Sequence, residues 1–291
     1  MSTSVHQLIE GTPALGSYGG VIRQIEKALH QPTASLDSIA EVIEKDPDIA
    51  SRLMRLGNSA FFAFPTRLET VTDAVRLIGI QQVHDLLHAS SVVEVFPGIS
   101  RELVDMESFW KHSLACGIGA RALAMARQMP KAEKLFVAGL LHDLGRLVLF
   151  SRAPAKAVEV FALAKTKRML LRDAETAVLD FDHAMIGEAL MRYWHYPPNL
   201  VQAVACHHRP MAAAANLLEA CIVHVADYVV HAMQMGNSGE QFVPPLNLNA
   251  WERVGLPVSM LESVMNSIDE QIEAVQQALA APPARMPEKG A

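Results

Sequence analysis

The sequence has few of the features that mark secreted or membrane-spanning proteins. It contains only three cysteines, with no Cys-x-x-Cys spacing, which argues against a disulfide framework and favours reduced thiols in the cytoplasm. No uncharged apolar run reaches the roughly 18 residues that a membrane-spanning helix needs, so we expect no contact with a membrane. The start, MSTSVHQLIEGTP, lacks a basic segment followed by an apolar one, and we expect no signal peptide.

Charge is also scarce. Charged residues make up 19% of the chain, and the net charge is -6. A broad nucleic-acid-binding surface is normally basic, so nucleic acid is not an expected partner. Aromatic residues account for 6% of the sequence, whereas hydrophobic residues account for 51%. This composition is typical of a globular protein, and 291 residues suffice for one large domain or two smaller ones.

The alternating pattern of β-strands is hard to find, and helical spacing runs through most of the chain. Apolar residues recur at helical intervals after Ser35, Asp46 and Thr70, which are all residue types that cap helices. We therefore predict an all-α protein of two helical lobes. Six apolar side chains are predicted to form the core of the N-terminal lobe: Ile39, Ile43, Leu53, Leu56, Val75 and Ile78.

The dipeptide Pro97-Gly98 is the predicted boundary between the lobes. The N-terminal helical lobe is assigned to residues 1–99, and the second helical lobe to residues 100–235. Residues 236–291 are predicted to hold a loop to about residue 256, a last helix, and a disordered tail, APPARMPEKGA. We find no sequence repeat and no glycine-rich phosphate loop.

The stretch GLLHDLGRLVLF, residues 139–150, places an imidazole and a carboxylate side by side in an apolar helix. A buried carboxylate without a partner costs several kcal/mol or is neutralised, so we expect a partner for Asp143. On a continuous helix His142 and Asp143 point about 100° apart, and they could meet one ion only above the ridge between them. Gly139 and Gly145 would let another helix approach closely there.

Five histidines and two aspartates fall where they could meet in space, and first-row divalent metals accept both types of ligand. A cation among them would offset the charge of the aspartates. The alternative is that they are hydrogen-bonded core residues, the usual state of a lone histidine on an apolar face. The candidate metal ligands are His112, His142, Asp143, His183, His207, His208 and Asp227. The histidines interpreted as ordinary core residues are His84, His88, His195, His224 and His231.

Part of the candidate set resembles the metal-binding motif of the HD superfamily of phosphohydrolases, and the remainder resembles the additional histidines of its HD-GYP branch. The first part is His112, His142, Asp143 and Asp227, and the second is His183, His207 and His208. The chain is most similar to the related HDOD family. That similarity runs from about residue 13 to residue 208, through DPDIASRLMRLGNSAFF, TVTDAVRLIGIQQVHDL, FVAGLLHDLGRLVL and FDHAMIGEALMRYWHYPPNLVQAVACHH.

The resemblance implies two helical lobes, of which the C-terminal one is HD-like, and a regulatory role in bacterial signal transduction. It also implies a divalent metal, which could be Fe, Mn, Ni or Zn, since all seven positions hold a residue that can bind one. The sequence contains no receiver, kinase, cyclase or DNA-binding motif. We therefore expect the partner to be an unidentified signalling protein on another chain.

Two departures from HD-GYP enzymes argue against catalysis. Arg146 stands where those enzymes have a lysine, and an arginine could bind a phosphate but is a poor proton donor. The stretch RPMAAAANLLEA stands in place of their Gly-Tyr-Pro loop. Three functions remain open: a protein-binding signalling module with a structural or sensory metal, a phosphohydrolase with Asp143 and Arg146 as candidate catalytic residues, and a sensor that binds a nucleotide without turnover. We expect the first.

Overall fold

The computed structural model describes residues 4–12, 24–25, 27–28, 35–96 and 98–280, and these residues contain helices but no strand. The all-α prediction is confirmed. The helices are α1 (Val5–Ile9), α2 (Leu36–Glu44), α3 (Pro47–Gly57), α4 (Val71–Ile78), α5 (Ile80–Val95), α6 (Met106–Ala126), α7 (Glu133–Leu141), α8 (Leu144–Arg152), α9 (Pro154–Lys167), α10 (Leu171–Leu179), α11 (His183–Tyr193), α12 (Pro198–Cys206), α13 (Leu217–Ala232), α14 (Leu248–Val254) and α15 (Met260–Ala280). A 3-10 turn, Pro210–Ala212, precedes α13. Pro97 and the tail predicted to be disordered lie outside the described residues.

The chain divides into two compact units, Met1–Ala14 with Val93–Ile272 and Leu15–Val92 with Glu273–Ala291. Of the helices that the structure describes, none combines the length and the apolar character that crossing a membrane requires.

In the unit that contains Leu15–Val92, helices α2, α3 and α4 pack against one another. Each begins at a side-chain cap that the sequence predicts, namely Ser35, Asp46 and Thr70. The six predicted core side chains are all buried, the most exposed at 7%. Asn58 ties the end of α3 to the following loop through hydrogen bonds of 2.8 and 3.1 Å with the backbone of Leu68.

In the unit that contains Val93–Ile272, α7 packs against α6, α12 and α13, and α11 packs against α8 and α12. Two glycines permit the closest approaches. A Cβ added at Gly139 would lie 2.6 Å from the carbonyl oxygen of Cys116 on α6. A Cβ added at Gly145 would overlap the carbonyl oxygen of His183, the first residue of α11. The close approaches predicted at these glycines are confirmed, and they bring α6 and α11 to either side of the His142-Asp143 pair.

The prediction that the His142-Asp143 pair lies within a helix is wrong. Helix α7 ends at Leu141 and α8 begins at Leu144, so the pair forms the turn between them. Asp143 makes no capping hydrogen bond to α8, which leaves its carboxylate to face the core. Across this turn Nε2 of His142 lies 3.3 Å from Oδ2 of Asp143. The prediction of an unbroken loop to about residue 256 is also wrong, since α14 lies within that segment.

Candidate metal centre

The seven candidate residues come from different elements and meet in the core of one unit. Six of them are buried, and His208 is half-buried. Their positions are His112 on α6, His142 and Asp143 in the turn between α7 and α8, His183 at the first position of α11, His207 and His208 in the turn after α12, and Asp227 on α13. Residues from three helices and two turns, far apart in the sequence, therefore contribute side chains to one cluster.

Asp143 lies at the middle of this cluster. Its Oδ1 atom is 3.0 Å from Nε2 of His183. Its Oδ2 atom is 3.3 Å from Nε2 of His142 and 3.7 Å from Nε2 of His112. One oxygen of this carboxylate thus faces His183, and the other faces His142 and His112.

Asp227 gathers a second group of imidazoles. Its Oδ1 atom is 3.3 Å from Nε2 of His112, 3.4 Å from Nε2 of His142 and 3.3 Å from Nε2 of His231. His231 is not in the predicted set, because the sequence analysis treated it as an ordinary core histidine. Its position four residues after Asp227, which places both on one face of α13, is the signal that could have found it.

The remaining histidines close the cluster around Asp143. The ring centroid of His207 lies 3.9 Å from that of His208, 5.4 Å from that of His183 and 5.1 Å from that of His142. Nε2 of His208 lies 2.9 Å from Nε2 of His183. The candidate ligands therefore form one continuous group of nitrogen and oxygen atoms.

Contacts on the outer side of three rings fix which nitrogen faces the cluster. Each Nδ1 atom lies against an oxygen that can only accept a hydrogen bond, so Nδ1 donates, and each ring in its neutral form keeps its lone pair on Nε2. Metal-binding histidines typically have this arrangement. The contacts are His142 Nδ1 to Gly139 O at 2.7 Å, His207 Nδ1 to Val204 O at 2.6 Å, and His183 Nδ1 to Glu175 Oε2 at 2.6 Å.

Several of the buried atoms that face the cluster make no hydrogen bond within the described chain. They are Nε2 of His112, His142 and His207, and Oδ1 of Asp143 and Asp227. Buried polar atoms are normally paired, and each one left unpaired costs about 1–3 kcal/mol. Their presence at one place indicates a ligand that would interact with all of them.

The spacing of these atoms fits a divalent cation. Ligands roughly 2.1 Å from one ion lie about 3.0 to 3.4 Å apart in octahedral or tetrahedral coordination. The separations given above between the Nε2 atoms of the histidines and the oxygens of Asp143 and Asp227 run from 3.0 to 3.7 Å. Cys116 adds a sulfur, which lies within 4.8 Å of ligand atoms of His142 and Asp227.

The charge distribution also suits a cation. Burial acts to raise the pKa of Asp143, but Arg146, His142 and His183 hold it well below its usual range. The pKa of Asp227 is likewise held well below its usual range, against burial, chiefly by His231 and the other adjacent imidazoles. Both carboxylates are therefore ionised.

Burial lowers the pKa of three cluster histidines, His112, His207 and His208. A neutral imidazole is the form that binds a metal. For His207 and His208, neighbouring imidazoles add to the effect, and the pKa falls well below the usual value. The cluster thus combines ionised carboxylates with three neutral imidazoles. Against burial, Asp143 raises the pKa of His142 well above its usual value, and Glu175 and Asp143 raise that of His183 to about 9, so a bound cation would displace a proton from each of these two rings.

Arg146 lies beside Asp143 and is buried. Its Nη1 atom donates to Oδ2 of Asp143 at 3.1 Å and to Oγ of Ser238 at 2.6 Å. Its Nε atom lies 3.5 Å from Oε1 of Glu175. The guanidinium thus links Asp143 to the residue that orients His183. Glu175 is absent from the predicted set because it lies in a stretch of sequence without a motif.

Comparisons with known proteins agree with this architecture. A solved structure of a candidate phosphohydrolase from Shewanella amazonensis SB2B is 22% identical, with a TM-score of 0.74 over 96% of this chain and 99% of that one. A candidate signal transduction protein from Marinobacter aquaeolei VT8 is 19% identical, with a TM-score of 0.68 over 94% of this chain and 64% of that one. At these identities the similarity shows the fold alone.

The chain also has similarities at the level of sequence. An uncharacterized protein of Treponema pallidum (strain Nichols) is 25% identical over 209 residues, which are 72% of this chain. The match spans only 40% of the length of that relative. The family model of the HDOD domain matches residues 15–210, and the chain therefore belongs to the HDOD family.

Proposed function

We propose that this HDOD protein is a metal-binding regulatory protein of bacterial signal transduction, which acts by binding a separate signalling protein. The proposal of metal binding rests on one observation. Buried imidazole nitrogens and carboxylate oxygens converge without hydrogen-bond partners among the described residues. A divalent cation, which could be Fe, Mn, Ni or Zn, would satisfy these atoms and offset both carboxylates. The residues that would supply ligands to this centre are His112, His142, Asp143, His183, His207, His208 and Asp227.

The main role of the cation would be to stabilise the folded state. Its ligands come from elements far apart in the sequence, and the unfolded chain does not hold them together. A metal that binds only the folded state stabilises that state by mass action. The cation would therefore stabilise the helical surface that the partner protein contacts.

The closed surroundings favour this role over turnover. Hydrolysis requires the reacting atoms to come within about 3.5 Å of one another, and His142 and His183 have no exposed surface. After His208 the chain forms the 3-10 turn Pro210–Ala212, which packs on α13 and contributes no aromatic ring. Arg146 already donates to internal partners, which limits its ability to bind a substrate phosphate.

A second candidate function is metal-dependent phosphohydrolysis, which one observation favours. One oxygen of Asp143 faces His183 and the other faces His142 and His112, as the oxygens of a carboxylate between two cations would face different ligands. Paired divalent cations lower the pKa of water and stabilise charge on a phosphoryl oxygen. The candidate phosphohydrolase from Shewanella amazonensis has a similar fold, which is compatible with this function but does not carry it.

Hydrolysis assays separate the two functions. The purified chain is loaded in turn with Mn, Fe, Ni and Zn and incubated with cyclic dinucleotides and with a simple aromatic phosphodiester. We expect no more product than from the Asp143→Asn variant. The matched control is His195→Asn, which removes an exposed histidine at a positive φ that asparagine tolerates. Hydrolysis by the wild type and by His195→Asn that disappears in Asp143→Asn would establish the phosphohydrolase instead.

A further inference from the structure

His231, which is outside the predicted set, places a ring nitrogen beside Asp227 and its ring beside that of His112. Asp227 and His231 lie one turn apart on α13 and face His112 on α6. The ring centroids of His231 and His112 are 4.6 Å apart. Helices α6 and α13 pack directly against each other, so both sides of this contact are held by the fold.

The atoms of this group have the separations expected of ligands on one ion. Oδ1 of Asp227 is 3.3 Å from Nε2 of His112 and 3.3 Å from Nε2 of His231. Adjacent ligands about 2.1 Å from a common cation lie roughly 3.0 to 3.4 Å apart. Oδ1 of Asp227 and both ring nitrogens of His112 are buried, and none of these three atoms makes a hydrogen bond within the described residues.

This group lies at one end of the cluster. Adjacent imidazoles form a row in which His231 meets His112, His112 meets His142 at a centroid distance of 5.3 Å, and His142 meets His207. His208 lies beyond His207, at the opposite end. The ligand atoms of His183, His207 and His208 all lie within 4.8 Å of one another, as do those of His112, Asp227 and His231.

We propose that His112, Asp227 and His231 together bind a divalent cation, and that this site is separate from the one formed by His183, His207 and His208. The inference rests on the proposed function, since it assumes that the centre binds metal. Two imidazoles and one carboxylate suit a borderline first-row cation such as ferrous iron, cobalt or zinc. The side chain of His231 is 10% exposed, so this end of the centre reaches the surface of its unit.

Cobalt titration of the full chain tests the proposal, because the visible absorption of Co2+ reports its ligands. In His231→Gln we expect the affinity of one class of cobalt sites to fall at least about tenfold. Tenfold is the smallest usual effect of losing a residue that only orients a ligand, and a direct ligand should contribute no less. In His208→Gln we expect the other class to weaken. His195→Asn should match the wild type. The His231→Glu variant restores an oxygen ligand, and it should recover binding with a shifted spectrum.

The possible results distinguish a failure of the site at His231 from a failure of the proposed function. A His231→Gln variant with the isotherm and spectrum of the wild type would overturn the site at His231 and leave the proposed function intact. Equal loss of all cobalt from His231→Gln and His208→Gln, with unchanged helical circular dichroism, would show one shared site and would also overturn it. A wild-type chain that binds no cobalt, zinc or manganese would overturn the proposed function itself.

Discussion

Nδ1 of His183 lies 2.6 Å from Oε2 of Glu175, and both side chains are fully buried. The same oxygen of Glu175 also accepts a hydrogen bond from the backbone N–H of His183 at 2.8 Å. One carboxylate thus fixes both the start of α11 and the direction of the imidazole that faces Asp143. Glu175 is a positioning residue for the centre, although it would not touch the cation.

Replacement of Glu175 should therefore weaken metal binding without removing a ligand. We expect Glu175→Gln to lower the affinity for Zn2+ by about 10- to 100-fold, the usual effect of losing a group that orients a ligating histidine. Competition with a chromophoric chelator measures the change. Glu188→Gln is the matched control, since Glu188 lies on the exposed side of α11 and pairs with Arg192. Equal affinities for the two variants would contradict the role of Glu175.

Gly145 should tolerate no side chain. In Gly145→Ala, the added Cβ would overlap the backbone of His183 and lie 2.8 Å from the backbone nitrogen of Gly187, which would force α8 and α11 apart. We expect a loss of about 1–3 kcal/mol in the free energy of unfolding, measured by urea denaturation, and weaker metal binding.

The facing glycine provides the control for this prediction. In Gly187→Ala, the nearest atom to the new Cβ would be a methyl carbon of Val204 at 3.3 Å, which a small shift relieves. Its free energy of unfolding should therefore stay close to that of the wild type. If Gly145→Ala were as stable as Gly187→Ala, the close approach of α8 and α11 would not hold.

Arg146 should contribute to stability through its buried ion pairs. Arg146→Gln leaves Asp143 and Glu175 without the guanidinium that both carboxylates contact. We expect the free energy of unfolding of the metal-free protein to fall by about 3–5 kcal/mol. Added metal should recover part of that loss, because it offsets the charge of Asp143. Chemical denaturation with and without Zn2+ measures both effects. Arg192→Gln, at an exposed pair, should change stability by less than about 0.5 kcal/mol.

The three thiols should differ in reactivity. Cys116 and Cys221 are fully buried, Cys206 is half-buried, and none of them forms a disulfide. We expect an aromatic disulfide reagent to modify one thiol rapidly in the native protein and three in denaturant. Mass spectrometry of the modified peptide should identify Cys206. Rapid native modification of Cys116 would contradict the packing of α6 against α7.

Local sequence patterns predicted much of the fold because their causes are local. The caps Ser35, Asp46 and Thr70 act within three residues, and helical spacing identified the buried faces of α2, α3 and α4. The break between α7 and α8 had no such signal, since GLLHDLGRLVLF contains neither proline nor a strong helix-stop pattern at His142. Close packing of Gly139 against α6 and of Gly145 against α11 flanks the break, and these contacts involve residues far away in the sequence.

The residues of the candidate site were likewise predicted only in part from the sequence. Residue chemistry and family resemblance named seven residues that the structure brings together, although their role as ligands stays a prediction. His231 was missed because one histidine on an apolar helix resembles any core histidine until its distance from Asp227 is known. His195 shows the opposite error, since it was interpreted as a core residue and is exposed. Glu175 and Ser238 have no sequence signal, because only the fold places them beside His183 and Arg146.

The metal content of the chain tests the central claim most directly. The wild type, Asp143→Asn and His195→Asn are purified without chelator, and their metals are measured by inductively coupled plasma mass spectrometry. The account predicts stoichiometric divalent metal in the wild type and in His195→Asn, and a large loss in Asp143→Asn. Wild-type protein that contains no divalent metal, and takes up none when equilibrated with Mn, Fe, Ni or Zn, would contradict it.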